Sequence, residues 1–234
     1  MAFTIIDPGA LYRGKSYNDW AKEYFAWYFS ADPDDHNDGP VVFLKSTPSL
    51  RTLFSSSITT GNNMSAVPQF ISNYMIQPNV MVGFDKLDVS IDQAILIPAI
   101  VSYFSATEAS DNIHTLQHFV RDAAANSDNP PSNTQIKIDG VPIPVDEQNM
   151  KRHSLETDPF MLAVPDVEPG RSYKDYVEIP PLPPGIWNTV GGGYFFLVQL
   201  SERRTYVISS RVKGKKYLDG RDYFADLLYQ VSVH

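Results

Sequence analysis

Two histidines four residues apart form the first pattern in this sequence that could do chemistry. His114 and His118 lie in the run HTLQH, and this spacing places two imidazoles on one face of a helix, as in zinc hydrolases. Those sites also need the glutamate base of the H-E-x-x-H motif, and Thr115 stands in its place. The alternative is a pair of polar side chains on the solvent side of a helix. That alternative is favoured, and we expect no zinc here.

A loop rich in aspartate is the second candidate for a metal site. Carboxylate oxygens are the ligands that Ca²⁺ prefers. The acidic residues of this loop are Asp32, Asp34, Asp35 and Asp38. The pattern departs from an EF-hand, because His36 and Asn37 occupy positions for an acid and a glycine, and no glutamate closes the loop. A solvated loop is favoured over a calcium site, and we expect no cofactor and no metal ligand in the chain.

The motifs of common enzyme classes are absent from the sequence. It has no G-x-S-x-G nucleophile elbow and no recognisable Ser/His/Asp set. The glycines Gly191–Gly193 precede a strand and carry no Lys-Ser/Thr, so they predict a glycine bulge or a close backbone approach and not a phosphate loop. We therefore expect no catalytic residue and a protein that is not an enzyme.

Two surface patterns could bind partners. A basic hairpin tip is formed by Arg211, Lys213, Lys215 and Lys216. It suits an acidic neighbour or a phosphate, but a solvated turn that protects a sheet edge is favoured. Aromatic side chains that could stack on sugars are Tyr12, Tyr173, Tyr176 and Trp187. Ordinary packing in the core and loops is favoured for them, since aromatic residues are mostly buried.

Composition excludes several classes of protein. The 234 residues are 43% hydrophobic and 12% aromatic, enough to bury a large core. The net charge of −8 argues against nucleic-acid binding, which needs a positive surface. The absence of cysteine excludes disulfides and thiolate metal sites. Residues 1–16 lack a basic segment followed by an apolar one, so we expect no export signal, and no apolar run is long enough to span a membrane.

Two helices are predicted. The first covers Ser16–Ser30, where Ser16 and Asp19 form a start resembling a capping box. Its aromatic face recurs with helical spacing and comprises Tyr17, Trp20, Ala21, Tyr24, Trp27 and Tyr28, widened by Phe25 and Phe29. The second covers Glu108–Asn126, with Ser110 as its cap and an apolar stripe that includes Leu116 and Val120.

The rest of the chain predicts strands. Alternating apolar residues around Asp139–Gly140 predict a type I′ hairpin, and Pro142 places its second arm at a sheet edge. The other predicted strands are Val41–Leu44, Val80–Phe84, Leu87–Ile91, Ala94–Val101, Phe160–Val164, Tyr194–Leu200, Thr205–Val212 and Asp226–Val233, with one more around Gln69–Tyr74. The predicted fold is mainly β: a single domain over residues 1–234, a jelly-roll-like β-sandwich with two flanking helices and an extended N-terminal arm (1–13).

Several segments resemble a family of uncharacterised, mostly secreted β-rich microbial proteins. The resemblance lies in Gly14-Lys15-Ser16-Tyr17 with Trp20 and Trp27, in 39–44, in Ala94–Ile100, in 138–140, and in the later segments 193–197 and 229–233. It covers most of the chain in the same order. Many members carry a signal peptide and cysteines, which are missing here. The resemblance implies a β-rich fold and carries over no catalytic residue, and these departures predict reuse of the fold inside a cell or a virus particle.

The function expected from the sequence is a structural subunit of a large assembly, most simply a viral minor capsid or decoration protein located in the virion. Its partners would be other protein subunits, with no nucleic acid and no membrane span. Two alternatives from other classes stay open. One is a carbohydrate-binding β-sandwich module, and the other is a hydrolase whose site a single sequence does not reveal; a cytoplasmic or extracellular location would accompany them.

Overall fold

The computed structural model of the chain describes residues 2–30, 38–44, 80–106, 114, 117, 120, 134–143, 152–166, 184–215 and 222–234. Two compact units share the chain. The first comprises residues 1–46, 90–126 and 148–202, and the second comprises residues 47–89, 127–147 and 203–234. Each unit therefore combines segments that are distant in sequence.

The described residues form one complete helix and eleven strands, which confirms the prediction of a mainly β protein. In chain order these elements are β1 (Phe3–Ile5), α1 (Tyr17–Tyr28), β2 (Val41–Phe43), β3 (Val80–Val89), β4 (Ala94–Ser105), β5 (Thr134–Ile138), β6 (Val141–Pro142), β7 (Ser154–Glu156), β8 (Phe160–Val164), β9 (Gly185–Leu200), β10 (Thr205–Lys215) and β11 (Asp222–Val233). The strands form two sheets, the number that a β-sandwich has. Each sheet includes one parallel pair, whereas jelly-roll sheets are antiparallel.

The sheet of the first unit is built around β9. Strand β4 pairs antiparallel with β9 from Thr189 to Gln199 and therefore occupies one edge of it, while β2 pairs parallel with β4. The opposite edge of β9 is shared by three short strands: β8 at Gly185–Thr189, β7 at 192–194 and β1 at 198–200. The predicted N-terminal arm thus folds back on its own sheet as β1.

Helix α1 begins and ends close to the predicted positions. Ser16 is its N-cap: the Ser16 hydroxyl accepts a hydrogen bond from the Asp19 N–H at 3.2 Å, and the Ser16 N–H donates to the Asp19 carboxylate at 3.0 Å. Every residue of the predicted aromatic face is buried, as are Phe25 and Phe29. They pack with Phe43 and Phe195 into a cluster on one face of the sheet, which we call the aromatic core.

The second predicted helix lies almost entirely outside the described residues. Of the range Glu108–Asn126, only His114, Gln117 and Val120 are described, and all three are helical. Val120 is buried, as its predicted stripe requires.

The sheet of the second unit has the order β3-β11-β10-β5-β6. The predicted type I′ hairpin is confirmed, because Asp139 and Gly140 both have positive φ (51° and 79°) and β6 pairs only with β5 at the sheet edge among the described strands. Burial alternates along β5, with Ile136 and Ile138 inside. One face of this sheet is therefore apolar and buried.

Several strand boundaries differ from prediction. The two strands predicted at Val80–Phe84 and Leu87–Ile91 are one strand, β3, because its parallel ladder with β11 continues through the polar residues Asp85 and Lys86. Strand β9 begins at Gly185 instead of Tyr194. Strand β7 was not predicted, and the predicted strand Gln69–Tyr74 lies outside the described residues.

Candidate functional site

Polar side chains complete the edge of β9 where β1, β7 and β8 leave gaps. Such gaps would leave buried backbone groups without hydrogen bonds, which is costly. The Tyr17 hydroxyl accepts from the Leu197 N–H at 3.1 Å and donates to the Ile6 carbonyl at 2.6 Å. Thr157 accepts from the Gly191 N–H at 2.9 Å through its hydroxyl. These side chains therefore act as parts of the β-ladder.

His153 fills the remaining gap, between β7 and β1. Its Nδ1 lies 3.0 Å from the Phe195 carbonyl oxygen, which only accepts, so Nδ1 carries the proton and donates. The ring stacks on Phe196 with centroids 4.5 Å apart, and the residue is 8% exposed. Burial lowers the pKa of His153 and outweighs the hydrogen bond to the Phe195 carbonyl, which raises it; the nearby Arg152 guanidinium also lowers this pKa, and Asp7 raises it. His153 is therefore a neutral imidazole at neutral pH.

Around His153 lies an ion pair that ties β1 to β7. Arg152 pairs with Asp7, whose other carboxylate oxygen accepts from the Gly9 N–H at 2.8 Å. The ring of Tyr17 lies 6.0 Å from the imidazole. Asp7, Tyr17, Arg152 and His153 thus form one cluster beside β9, here called the edge cluster. No local sequence pattern marks His153, since its partner is a backbone carbonyl 42 residues away.

The segment that carries the family resemblance has a structural role at each described position. Arg13 and Gly14 have positive φ (52° and 79°) in the tight turn that closes the Tyr12–Lys15 bridge. The Lys15 ammonium lies over the Trp20 ring, 4.7 Å from its centroid, and pairs with Glu23. The indole N–H of Trp20 donates to the Tyr12 carbonyl at 3.1 Å. These contacts fix the entry of the chain into α1.

The glycines of β9 allow helices to approach the sheet closely. A Cβ on Gly191 would lie 2.1 Å from the Phe25 ring, and one on Gly192 would lie 2.4 Å from Val120. Successive residues of a strand point to opposite faces. Helix α1 therefore contacts one face at Gly191, and the helical segment with Val120 contacts the other at Gly192. The predicted close backbone approach at Gly191–Gly193 is confirmed for these two positions.

The face of the first sheet that contacts Val120 carries apolar side chains both where it is buried and where it is exposed. Along this face of β9, Val190, Phe196 and Val198 are fully buried. Further toward the start of β9, Ile186 is 68% exposed, and Met161 on the neighbouring β8 is 64% exposed. The register pairs Met161 with Asn188 and Ala163 with Ile186, so all four exposed side chains share one face. We call these four residues the β8–β9 patch.

Only one residue of each candidate metal site that the sequence offered lies in the described part of the chain. His114 is exposed, with Nδ1 3.1 Å from the Gln117 side-chain oxygen, while His118 lies outside the described residues. Of the acidic loop, only Asp38 is described, and its carbonyl accepts from Gln93 at 3.4 Å. The described residues hold no group of three or more His, Asp or Glu side chains able to bind a metal ion.

The residues that the sequence offered as candidates for binding have three different environments. Arg211 donates to the Asp226 carboxylate across the β10–β11 ladder, at 3.0 Å and 2.6 Å, and Lys213 is exposed. The side chains of Lys215 and Lys216, with Tyr173 and Tyr176, lie outside the description. Tyr12 and Trp187 are partly buried against the aromatic core, and the Tyr12 hydroxyl donates to the Asp92 carbonyl at 2.9 Å. Core and loop packing, the favoured alternative, is therefore confirmed for these two aromatics.

No known protein family matches the chain, and no curated protein matches it. Among solved structures, the chain is similar to a cysteine protease inhibitor from Entamoeba histolytica, with 12% identity over 68% of this chain and 100% of that one. The TM-score of 0.20 carries no argument about fold or function. No helix in the described ranges is long and apolar enough to cross a membrane.

Proposed function

We propose that this protein is a non-enzymatic structural subunit of a large assembly, and specifically a minor capsid or decoration protein of a virus particle. The observation that carries the proposal is the β8–β9 patch. This face of the sheet is buried along most of β9, but near the start of β9 it carries exposed Ile186 and, on the neighbouring β8, exposed Met161. Adjacent exposed apolar side chains of this kind are typical of protein contact surfaces.

The position of the patch strengthens the proposal. Strand β8 pairs only with β9 among the described strands, so it lies at an edge of its sheet. An exposed edge with apolar side chains favours pairing with another chain. A neighbouring subunit that covers Met161 and Ile186 would complete the face and remove this edge from solvent.

The contacts of the buried polar side chains also support a structural role. Tyr17, His153 and Thr157 each bind backbone atoms of β9. A catalytic site directs such groups toward a substrate, with perturbed residues converging on a pocket. In this protein these side chains instead stabilise the sheet, as expected for a subunit whose function is to hold a shape.

The test is incorporation into the native particle. Particles from the source are separated on a density gradient, and the amount of this chain in each fraction is measured by mass spectrometry. We expect it to sediment with the major shell protein in a fixed ratio. A monomer that hydrolyses sugar esters or glycosides would replace the proposal with the hydrolase alternative, and binding to a glycan array would replace it with the carbohydrate-binding alternative.

Paired variants connect the patch to incorporation. We expect Met161→Asp combined with Ile186→Asp to lower incorporation at least tenfold without changing the circular dichroism spectrum. Leu11→Asp is the control, since Leu11 is 69% exposed but lies outside the strands, between β1 and α1. Equal incorporation of both variants would contradict the role of the patch.

A further inference from the structure

His153 is the only titratable imidazole that the described structure places in the β-ladder itself. It bridges the gap on β9 between Tyr194, which pairs with β7, and Val198, which pairs with β1. Its Nδ1–H is committed to the Phe195 carbonyl, and within the described residues Nε2 makes no hydrogen bond. The ring is therefore held in the ladder by one donor, the Nδ1–H.

Protonation would change what this site must accommodate. The charged ring carries a second N–H at Nε2 while its face remains stacked on Phe196 at 4.5 Å. Transfer of a charge into a site that is 8% exposed is unfavourable unless an opposite charge pairs with it. The Nδ1–H bond to the Phe195 carbonyl favours the charged ring, but burial opposes the charge more strongly, so the closed site favours the neutral ring.

Among the described residues, two charged side chains act on the His153 ring. Arg152, its chain neighbour, repels a protonated ring, and Asp7 attracts it. The carboxylate of Asp7 is already shared between Arg152 and the Gly9 N–H. Tyr17, on α1, presents its ring at 6.0 Å and uses its hydroxyl in the ladder. Phe195 and Phe196 of β9 contribute no charge.

We propose that His153 is a proton-sensitive switch that holds the β1–β7 edge of β9 closed at neutral pH and loosens it in mild acid. The opening is local. Strand β1 has three ladder pairs with β9 and β7 has three, whereas β4 holds the other edge of β9 with ten. Acid therefore frees the N-terminal strand before it affects the rest of the sheet.

The pH range follows from the direction of the linkage. In the closed site the pKa of His153 is below its ordinary value of 6.5. In the opened state the imidazole is solvated, and its pKa returns to that ordinary value. The opened state therefore binds the proton more strongly. The stability of the closed edge is complete above pH 6.5 and falls as the pH decreases below it, until the pKa of the closed state is reached. One proton changes the opening constant by at most about tenfold per pH unit.

The experiment is amide hydrogen exchange of the full chain between pH 7.5 and 5.0, corrected for the intrinsic exchange rate at each pH. In the wild type, we expect the opening constant of amides in 3–6 and 154–156 to rise up to about tenfold from pH 6.5 to 5.5. Amides of β4 at Ile95 and Leu96 are the internal control and should stay constant. Uniform change across both groups would overturn the proposal.

Variants identify the responsible residue. His153→Gln keeps an amide donor and should make the opening constant independent of pH, whereas His114→Gln, at an exposed helical position, should retain the wild-type profile. Retention of the profile in His153→Gln would overturn the proposal.

Two further variants keep the test decisive if His153→Gln does not fold. Asp7→Asn removes the attraction and should enlarge the acid-induced opening, while Arg152→Gln removes the repulsion and should reduce it. Shifts in the same direction would contradict the proposed electrostatics. An NMR titration that places the pKa of His153 at or above 6.5 would do the same.

Discussion

The Tyr17 hydroxyl offers the sharpest test of how the edge of β9 is held. It lies between two strands, accepting from the Leu197 N–H at 3.1 Å and donating to the Ile6 carbonyl at 2.6 Å, while Ile6 N–H donates directly to the Leu197 carbonyl at 2.8 Å. Tyr17→Phe keeps the ring in the aromatic core and removes only the oxygen. Two backbone groups then lose their partner.

The expected loss follows from the burial of those two groups. Leu197 is fully buried, so its unpaired N–H costs about 1–3 kcal/mol. Ile6 is half-buried, so water satisfies part of its carbonyl and the added cost is below about 1 kcal/mol. Relief from burying a hydroxyl offsets some of this. We expect Tyr17→Phe to lower the free energy of unfolding by about 2 kcal/mol, which corresponds to a fall in Tm of about 4–8 °C for a chain of this size.

Urea denaturation followed by near-ultraviolet circular dichroism measures this loss. Tyr12→Phe is the matched control, because its hydroxyl also donates to a carbonyl, that of Asp92 at 2.9 Å, but at an exposed position. That control should cost less than about 1 kcal/mol. If the two variants lose the same small amount, the Tyr17 hydroxyl is not part of the ladder and the account of the edge is wrong.

Three other predictions concern α1 and its contact with the sheet. Trp20→Ala should cost about 3–5 kcal/mol because Trp20 is 2% exposed, and a loss below about 1 kcal/mol in urea denaturation would contradict this packing. Hydrogen bonds from the Ser16 hydroxyl and N–H lower the pKa of Asp19. Asp19→Asn should therefore destabilise the protein above pH 3.8, and the difference from wild type should vanish as the pH falls through the folded-state pKa. Thermal melts across that pH range measure the difference. Gly191→Ala should lower the free energy of unfolding by about 3 kcal/mol, since the new methyl would overlap the buried Phe25 ring. Adding Phe25→Leu to this variant should recover part of the loss. If Gly191→Ala alone has no effect, α1 does not approach β9 so closely.

Local patterns explain which parts of the fold the sequence predicted. Helix α1 carries its own start signal at Ser16 and Asp19, and its buried face is visible as a spacing of aromatic residues. The hairpin at Asp139–Gly140 likewise depends on two residues that tolerate positive φ. Both depend on interactions within a few residues, which one sequence contains in full.

Contacts between distant residues explain what the sequence did not predict. Strand β9 extends to Gly185 because β8 and β4 pair with its first residues, although Gly185–Asn188 lacks a clear strand pattern. Strand β7 has three residues and exists because β9 offers an edge at Gly192–Tyr194. The role of His153 has no sequence signal at all, since nothing near it in the chain indicates the Phe195 carbonyl.

The two edges of β9 differ in how they are stabilised, and this difference connects the two proposals. The β4 edge is one continuous ladder, with a single irregularity between Pro98 and Val101. The other edge depends on Tyr17, His153 and Thr157 to join three short strands. Local opening begins where few backbone pairs hold a strand, so the composite edge opens first. The β8–β9 patch lies at one end of this edge and the proton-sensitive switch near the other. A neighbouring subunit that extended from the patch onto β7 would add contacts only to the closed edge, so its binding would oppose acid-induced opening, and acid would in turn weaken its binding by the same factor.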